Sequence, residues 1–186
     1  MYNQIKVIAR EKAKKSHVGH IRNSGGIPAV LYGTDEQKER LLTVDEKDFK
    51  KFYSSLEKGH LPNTPFEIDL DGKHVVIVKG IEYNIINNRV IHLDLMSANK
   101  GSINIKVPLK AKGQDNCPGI VLGGGVRLIK RHVKVKTTLD AIPNELMIDV
   151  SGRELDSSIK VSEILPVDGV TIHNNANEVV AVIAKK

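Results

Sequence analysis

Residues 27–33 read Ile-Pro-Ala-Val-Leu-Tyr-Gly, a short apolar run that predicts a buried β-strand. The proline lies at the beginning of the run, where a missing backbone N–H disturbs a sheet least. Residues 90–95 read Val-Ile-His-Leu-Asp-Leu and alternate between polar and aliphatic positions. This alternation predicts a strand with His92 and Asp94 side by side on its solvent face, together with Val90, and with three aliphatic residues on the opposite face.

Similar β-type patterns recur along the chain, and few segments have helical periodicity. We expect a basic helix over 14–22 with outward-facing cations, and a second helix that Asp45 caps and that runs to about Ser55. The pattern therefore predicts a mostly β fold with a few short helices (α+β), divided into two domains, 1–96 and 97–186. Further strands are expected at residues 5–9, 41–44, 66–70, 73–79, 103–109, 126–136, 146–150 and 179–183.

Charge is unevenly distributed. The net charge is 28 − 22 = +6 and the isoelectric point is about 9.3, which favours an anionic partner. The first 22 residues hold six bases and one acid, and residues 127–136 hold five bases and no acid. Residues 140–178 hold eight acids and two bases. Each run is either a solvated face or a binding surface, and the sequence leaves both interpretations open.

Several classes of protein are disfavoured by the sequence. A single cysteine, Cys117, excludes an internal disulfide framework and a cysteine-only metal site. Residues 123–125 are three glycines, but they lack a phosphate-loop pattern and precede a predicted strand. His17 and His20 have no further pair to complete a zinc site. We expect no catalytic residue, no metal and no cofactor. Without a long apolar run or an apolar leader, we also expect a soluble cytoplasmic protein with no membrane contact.

RNA binding accounts for more of these features. Basic segments supply phosphate contacts, whereas specific recognition needs groups that reach bases or RNA shape. Tyr32, at the end of the 27–33 strand, is either a core residue or a contact for a sugar or base. Asp94, beside His92, would indicate base readout, since a carboxylate near RNA is unfavourable unless it accepts a hydrogen bond from a base amino or imino group. Lys79 adds a further cation to this candidate set.

Four segments together resemble a known family. They are residues 7–10, the basic helix, the 27–33 strand and the 90–95 strand, in this order and at matching separations. The chain resembles the bacterial ribosomal protein L-twenty-five family, whose members bind 5S rRNA. Its second half resembles the additional β domain of the longer form of that family, the general stress protein Ctc type. The matching features there include residues 118–126 and the closing strand over 178–182.

The resemblance implies a small N-terminal β-barrel docked on 5S rRNA and a C-terminal β domain that reaches outward. Three positions depart from the family, because Gly19 and His20 stand where arginines are usual, and Glu82 stands where a glutamine is usual. We expect these changes to weaken phosphate binding. The resemblance implies Arg10, Lys15 and Arg22 for phosphates, Tyr32 for the backbone or sugar, and His92 with Asp94 for base edges. Lys14 and Lys79 complete the predicted set of RNA-binding residues.

The predicted function is that of a structural constituent of the large ribosomal subunit, located on cytoplasmic ribosomes and monomeric when free. Its expected partners are 5S rRNA and, through the C-terminal domain, other large-subunit proteins. A second hypothesis is a stress-linked accessory factor whose acidic 140–178 region binds a protein. An enzyme acting on RNA is a third hypothesis, which no constellation of nucleophile and base supports.

Overall fold

The computed structural model describes residues 2–11, 15–33, 39–70, 72–98 and 101–185. Backbone contacts divide the chain into two compact units, Met1–Gly101 and Ser102–Lys186. Both units are rich in β-strands, and three short α-helices are present among the described residues. The predicted fold class is therefore confirmed. The division of function between residues 1–96 and 97–186 stays a prediction.

The first unit is built from a single curved sheet and two helices. Its elements are β1 (Gln4–Ile5), β2 (Val7–Ala9), α1 (Lys15–Asn23), β3 (Gly26–Tyr32), β4 (Arg40–Asp45), α2 (Glu46–Ser55), β5 (Phe66–Asp69), β6 (Lys73–Tyr83) and β7 (Val90–Ser97).

The N-terminal segment closes this sheet into a barrel. The strand order is β1-β5-β6-β7-β3-β4-β2, so β1 and β2 lie at opposite edges although only Lys6 separates them in the chain. β1 runs parallel to β5, with Gln4 opposite Glu67, and β2 runs antiparallel to β4. The single strand predicted over 5–9 is therefore two strands that pair with different edges. Closure leaves no long unpaired edge, which protects the sheet from pairing with other chains.

Aliphatic side chains and three phenylalanines fill the barrel interior. Period-two alternation explains which positions point inward: along β7, for example, Leu93 and Leu95 are fully buried. The helix α2 covers one end with Phe49 and Phe52. The fully buried members of this core include Ile5, Ile27, Leu31, Leu42, Phe49, Phe66, Ile68, Leu93 and Leu95.

Both helices of the first unit are capped. Asp45 begins α2, because its carboxylate accepts the backbone N–H groups of Lys47 and Asp48 at 2.8 and 3.0 Å. After α1, Gly25 adopts the left-handed conformation (φ +86°) that commonly ends a helix. A side chain at Gly26 would lie 2.8 Å from the Ile21 methyl group, so α1 packs closely against the beginning of β3.

The second unit contains two sheets. One has the order β11-β8-β10-β13 and the other β12-β14-β9. The strand predicted over 126–136 is wrong, because residues 129 and 130 turn to donate their N–H groups to the Val180 carbonyl, and the flanking strands join different sheets. The elements are β8 (Ile103–Lys112), α3 (Pro118–Val121), β9 (Gly124–Leu128), β10 (His132–Thr137), β11 (Leu146–Asp149), β12 (Ser158–Lys160), β13 (Thr171–Ile172) and β14 (Val179–Lys185).

Candidate nucleic-acid interface

Four of the eight predicted site residues lie on the solvent side of three neighbouring barrel strands. Asp94 of β7 lies between Val30 of β3 and Gly80 of β6, and Glu82 of β6 lies opposite His92. Tyr32 ends β3 on the same side as Val30. We call this surface the outer barrel face. Its polar members are Tyr32, Lys79, Glu82, His92 and Asp94.

His92 and Asp94 are in contact on this face, as the alternation of β7 predicts. The His92 Nδ1 atom lies 3.4 Å from Asp94 Oδ1. Their side chains are 26% and 40% exposed, so both reach solvent while strand neighbours restrict their motion. The imidazole offers a donor and an acceptor, and the carboxylate offers acceptors only. Together they can hydrogen-bond to base edges or to a ribose hydroxyl.

A β-bulge positions the Asp94 carboxylate. Val78 is opposite Leu95 and Gly80 is opposite Asp94, so Lys79 is an extra residue in β6 and its side chain is exposed. A Cβ at Gly80 would lie only 2.7 Å from Asp94 Oδ2. The glycine therefore lets the carboxylate lie over β6. The sequence interpretation missed Gly80, although a glycine inside a strand is a signal of close approach.

Tyr32 is electrostatically linked to this carboxylate. Its side chain is half-buried at the end of β3. Burial raises the pKa of the Tyr32 hydroxyl, and the negative charges of Asp94 and Glu39 raise it further. The hydroxyl therefore stays protonated at neutral pH and can donate to a phosphate or sugar oxygen.

A second bulge changes the role predicted for Arg22. Tyr83 is opposite Val90 while Glu82 is opposite His92, so Ile91 is the extra residue. The shift turns Val90 toward the barrel core, which corrects the prediction that it shares a face with His92. The Ile91 carbonyl accepts a hydrogen bond from Arg22 Nε at 3.1 Å. The prediction that Arg22 faces outward is thus wrong in part, because half of its guanidinium ties α1 to β7.

Arg89 extends this link to α2. Its Nε and Nη2 atoms bind both carboxylate oxygens of Glu46, at 3.1 and 2.6 Å. The Nη2 atom also donates to the Arg22 backbone carbonyl at 3.2 Å. α1 is therefore held at its C-terminal end by the Ile91 carbonyl of β7 and by the Arg89 side chain from the loop before β7.

Two of the remaining predicted cations, Arg10 and Lys15, are among the described residues. Arg10 is half-buried, and its Nε donates to the Leu42 carbonyl at 3.0 Å. Burial lowers the pKa of the Arg10 guanidinium, which nevertheless stays charged at neutral pH. Lys15 is the first residue of α1, and Lys14 lies outside the described residues. No heavy atom lies within 4 Å of a Cβ placed on Gly19, so this position of α1 is open to solvent.

Other kinds of site are not found in the described parts of the chain. There is no group of three or more histidine, cysteine or acidic side chains that could hold a metal ion. Cys117 is fully buried, and its thiol donates to the Arg153 carbonyl. None of the helices is long and apolar enough to cross a membrane.

Two family models match the chain. The model described as the Ribosomal L25p family matches residues 5–95. The model described as the ribosomal protein TL5 C-terminal domain matches residues 102–186. These ranges correspond closely to the two compact units.

Similar proteins agree with this assignment over the whole chain. The large ribosomal subunit protein bL25 of Chlamydia trachomatis serovar L2 is 33% identical over 185 residues, which are 98% of this chain and all of that protein. The Chlamydia pneumoniae protein of the same name is also 33% identical over 98% of this chain and all of its own length. The Wolbachia pipientis counterpart is 32% identical over 94% of this chain and 86% of its own length. The chain therefore belongs to the ribosomal L25p family of large-subunit ribosomal proteins, which are structural components and not enzymes.

Proposed function

We propose that this protein is a structural component of the large subunit of cytoplasmic ribosomes and binds 5S rRNA through the outer barrel face and α1. The observation that carries the proposal is the contact between His92 and Asp94 on the same exposed face as Tyr32. Base-reading groups and a protonated tyrosine thus lie on one side of the barrel, and α1 adds cations at its end.

Different side chains of this surface would contact different parts of the RNA. Lys15, Lys79 and the part of Arg22 that does not bind Ile91 would contact phosphates, which set affinity and orientation. His92 and Asp94 would select the sequence or shape of the bound RNA through hydrogen bonds. Tyr32 would donate to the backbone or a sugar. Glu82, opposite His92, adds a negative charge to this face, and we expect it to limit affinity.

The acidic 140–178 region gives less support to a protein-binding accessory factor. Several of its carboxylates serve the fold of their own unit. Asp149 accepts the Ser151 N–H, Glu163 accepts the Lys160 N–H and pairs with Arg153, and Glu178 pairs with Lys130. Three of the eight acids of this region are thus accounted for by turns and ion pairs within the unit.

The test is a gel shift of the full chain with 5S rRNA and with a hairpin of scrambled sequence, at two salt concentrations. We expect selective binding that weakens as salt rises. Asp94→Ala should weaken 5S rRNA binding about 10-fold, since a good base contact is worth about 1–3 kcal/mol. Asp69→Ala removes an exposed carboxylate from β5 and should leave binding unchanged.

A variant of Arg22 distinguishes the contribution of phosphate contacts to RNA affinity from that of base contacts. Arg22→Ala should weaken binding to both RNAs alike and reduce the salt dependence by about one phosphate contact. Thermal unfolding of the same variant measures its role in holding α1. Equal binding of the wild-type protein to both RNAs, or an Asp94→Ala variant that binds as tightly as wild type, would refute the proposal.

A further inference from the structure

The four-stranded sheet of the second unit has a lysine-rich solvent side. Lys106 of β8 lies directly opposite Lys134 of β10, and Lys136 lies opposite Asn104. All three lysines are exposed. On the far side of β10, the His173 N–H donates to the Lys134 carbonyl, which places a histidine beside this pair. We call Lys106, Lys134 and Lys136 the lysine face.

The arrangement is unfavourable for the isolated fold. Like charges directly opposite on neighbouring strands destabilise a sheet. Among residues 101–185, no carboxylate lies within salt-bridge distance of the lysine face, whereas the neighbouring Lys110 pairs with Glu145 at 2.5 Å. The repulsion between Lys106 and Lys134 is thus left uncompensated by an acidic group of this unit.

The sheet holds these lysines outward. Between them along the strands lie Ile105, Val107, Val133 and Val135, which are 0–5% exposed and form the inner side. A slip of one residue would bury the lysines and expose the aliphatic residues, so the register is strongly fixed. The three ammonium groups are therefore presented from a rigid surface. Their strand positions are about 5 Å apart across the pair and about 7 Å apart along β10.

We infer that the lysine face binds the phosphate backbone of structured RNA, as a contact separate from the outer barrel face. The lysine ammonium group binds phosphate as a point charge, without the fixed bidentate geometry that an arginine guanidinium requires. Neither β8 nor β10 contains a phenylalanine, tyrosine or tryptophan to stack on a base. Protein–protein interfaces are depleted in lysine, which favours RNA over an acidic protein as the partner. We therefore expect binding that is sensitive to salt and insensitive to sequence.

The experiment uses the full chain and a short RNA duplex of mixed sequence, with binding measured over a range of salt concentrations. The test variant combines Lys106→Gln, Lys134→Gln and Lys136→Gln. We expect the slope of log affinity against log salt to fall by about 2–3, since each phosphate contact contributes about 0.9. The control variant combines Arg127→Gln, Lys160→Gln and Lys185→Gln, which make the same charge change on the other sheet.

The slope of the control variant should differ from the wild-type slope by less than about 0.9, which is the contribution of one phosphate contact. An equal fall of the salt slope in both variants would show a general effect of net charge. An unchanged slope in the test variant would show that RNA does not bind the lysine face. Either result overturns the inference. Normal duplex binding combined with weaker association with large ribosomal subunits would assign the face to a protein and also overturn it. Thermal unfolding checks the fold, and we expect the test variant to be at least as stable as wild type.

Discussion

Three residues on the outer barrel face, Gly80, His92 and Tyr32, define the surroundings of the Asp94 carboxylate. Gly80 leaves room for it over β6, His92 contacts one of its oxygens, and its charge acts on the Tyr32 hydroxyl. Alternation along β7 predicted the placement of His92 and Asp94. The linkage to Tyr32 could not be predicted, because it depends on the parallel pairing of β3 and β7, two strands that lie far apart in the sequence.

The link between Asp94 and Tyr32 can be measured directly. Asp94→Asn removes a negative charge that disfavours the phenolate, so the pKa of Tyr32 should fall toward its ordinary value of 10.0. It should stay above that value, because burial is the larger cause of the shift. An NMR titration that follows the ring carbon signals of each tyrosine would measure the pKa of Tyr32.

The matched control for this titration is Asp69→Asn, at an exposed position of β5. It should leave the titration of Tyr32 where it is in the wild type. An unchanged Tyr32 titration in the Asp94→Asn variant would show that the carboxylate and the hydroxyl are not electrostatically coupled.

At the scale of elements, α1 depends on features that local sequence does not reveal. Its position was predicted from helical spacing and from the turn that follows it. Its attachment depends on the bulge at Ile91, which frees a carbonyl for Arg22. The bulge at Ile91 has no local sequence signature, because its extra strand residue is defined only by the partner strand. The outward orientation predicted for Arg22 was wrong in part for this reason.

Gly19 gives α1 a position where stability and RNA affinity can rise together. Gly19→Arg should stabilise the fold by about 0.5–1 kcal/mol, since glycine is a poor helix former and the space around it is open. The added cation should also tighten 5S rRNA binding and increase its salt dependence by about one phosphate contact. Chemical denaturation and gel shifts measure the two effects.

Gly19→Ala is the control, because it supplies helix propensity without charge. It should match the gain in stability and leave RNA affinity unchanged. If Gly19→Arg binds no more tightly than Gly19→Ala, α1 does not face the RNA at this position.

At the scale of the whole molecule, the two units use charge differently. The first unit places a lysine and a histidine–aspartate pair on one barrel face. The second unit uses several of its carboxylates within its own fold. Hydrogen bonds from Ser151 lower the pKa of Asp149, the Lys160 N–H lowers that of Glu163, and Lys130 lowers that of Glu178. The uneven charge was evident from the sequence, whereas these partners depended on the tertiary fold.

Lowered carboxylate pKa values make the second unit sensitive to acid. Such groups stabilise the folded state at pH values above their ordinary pKa, which is 4.5 for the glutamates. That contribution is lost as the pH falls through the lower, folded-state values. We expect the unfolding temperature of residues 102–186 to drop below about pH 4.5. Glu163→Gln should lower stability at neutral pH and flatten this drop.

Asp168→Asn is the control, at an exposed turn of the same unit. Its pH profile should follow the wild type. A Glu163→Gln variant with an unchanged profile would show that this carboxylate does not contribute to the acid sensitivity. Unfolding followed by NMR signals of residues 102–186 separates this unit from the barrel.

The N-terminal segment that closes the barrel has a consequence for synthesis. Gln4 and Ile5 are translated more than 60 residues before their partners Glu67 and Ile68. Because translation proceeds at about 5–20 residues per second, β5 is synthesised several seconds after β1. The barrel therefore cannot close while the chain is short. A bulky group attached directly before Gln4 would lie beside this late-forming pair of strands and should slow the closing of the barrel.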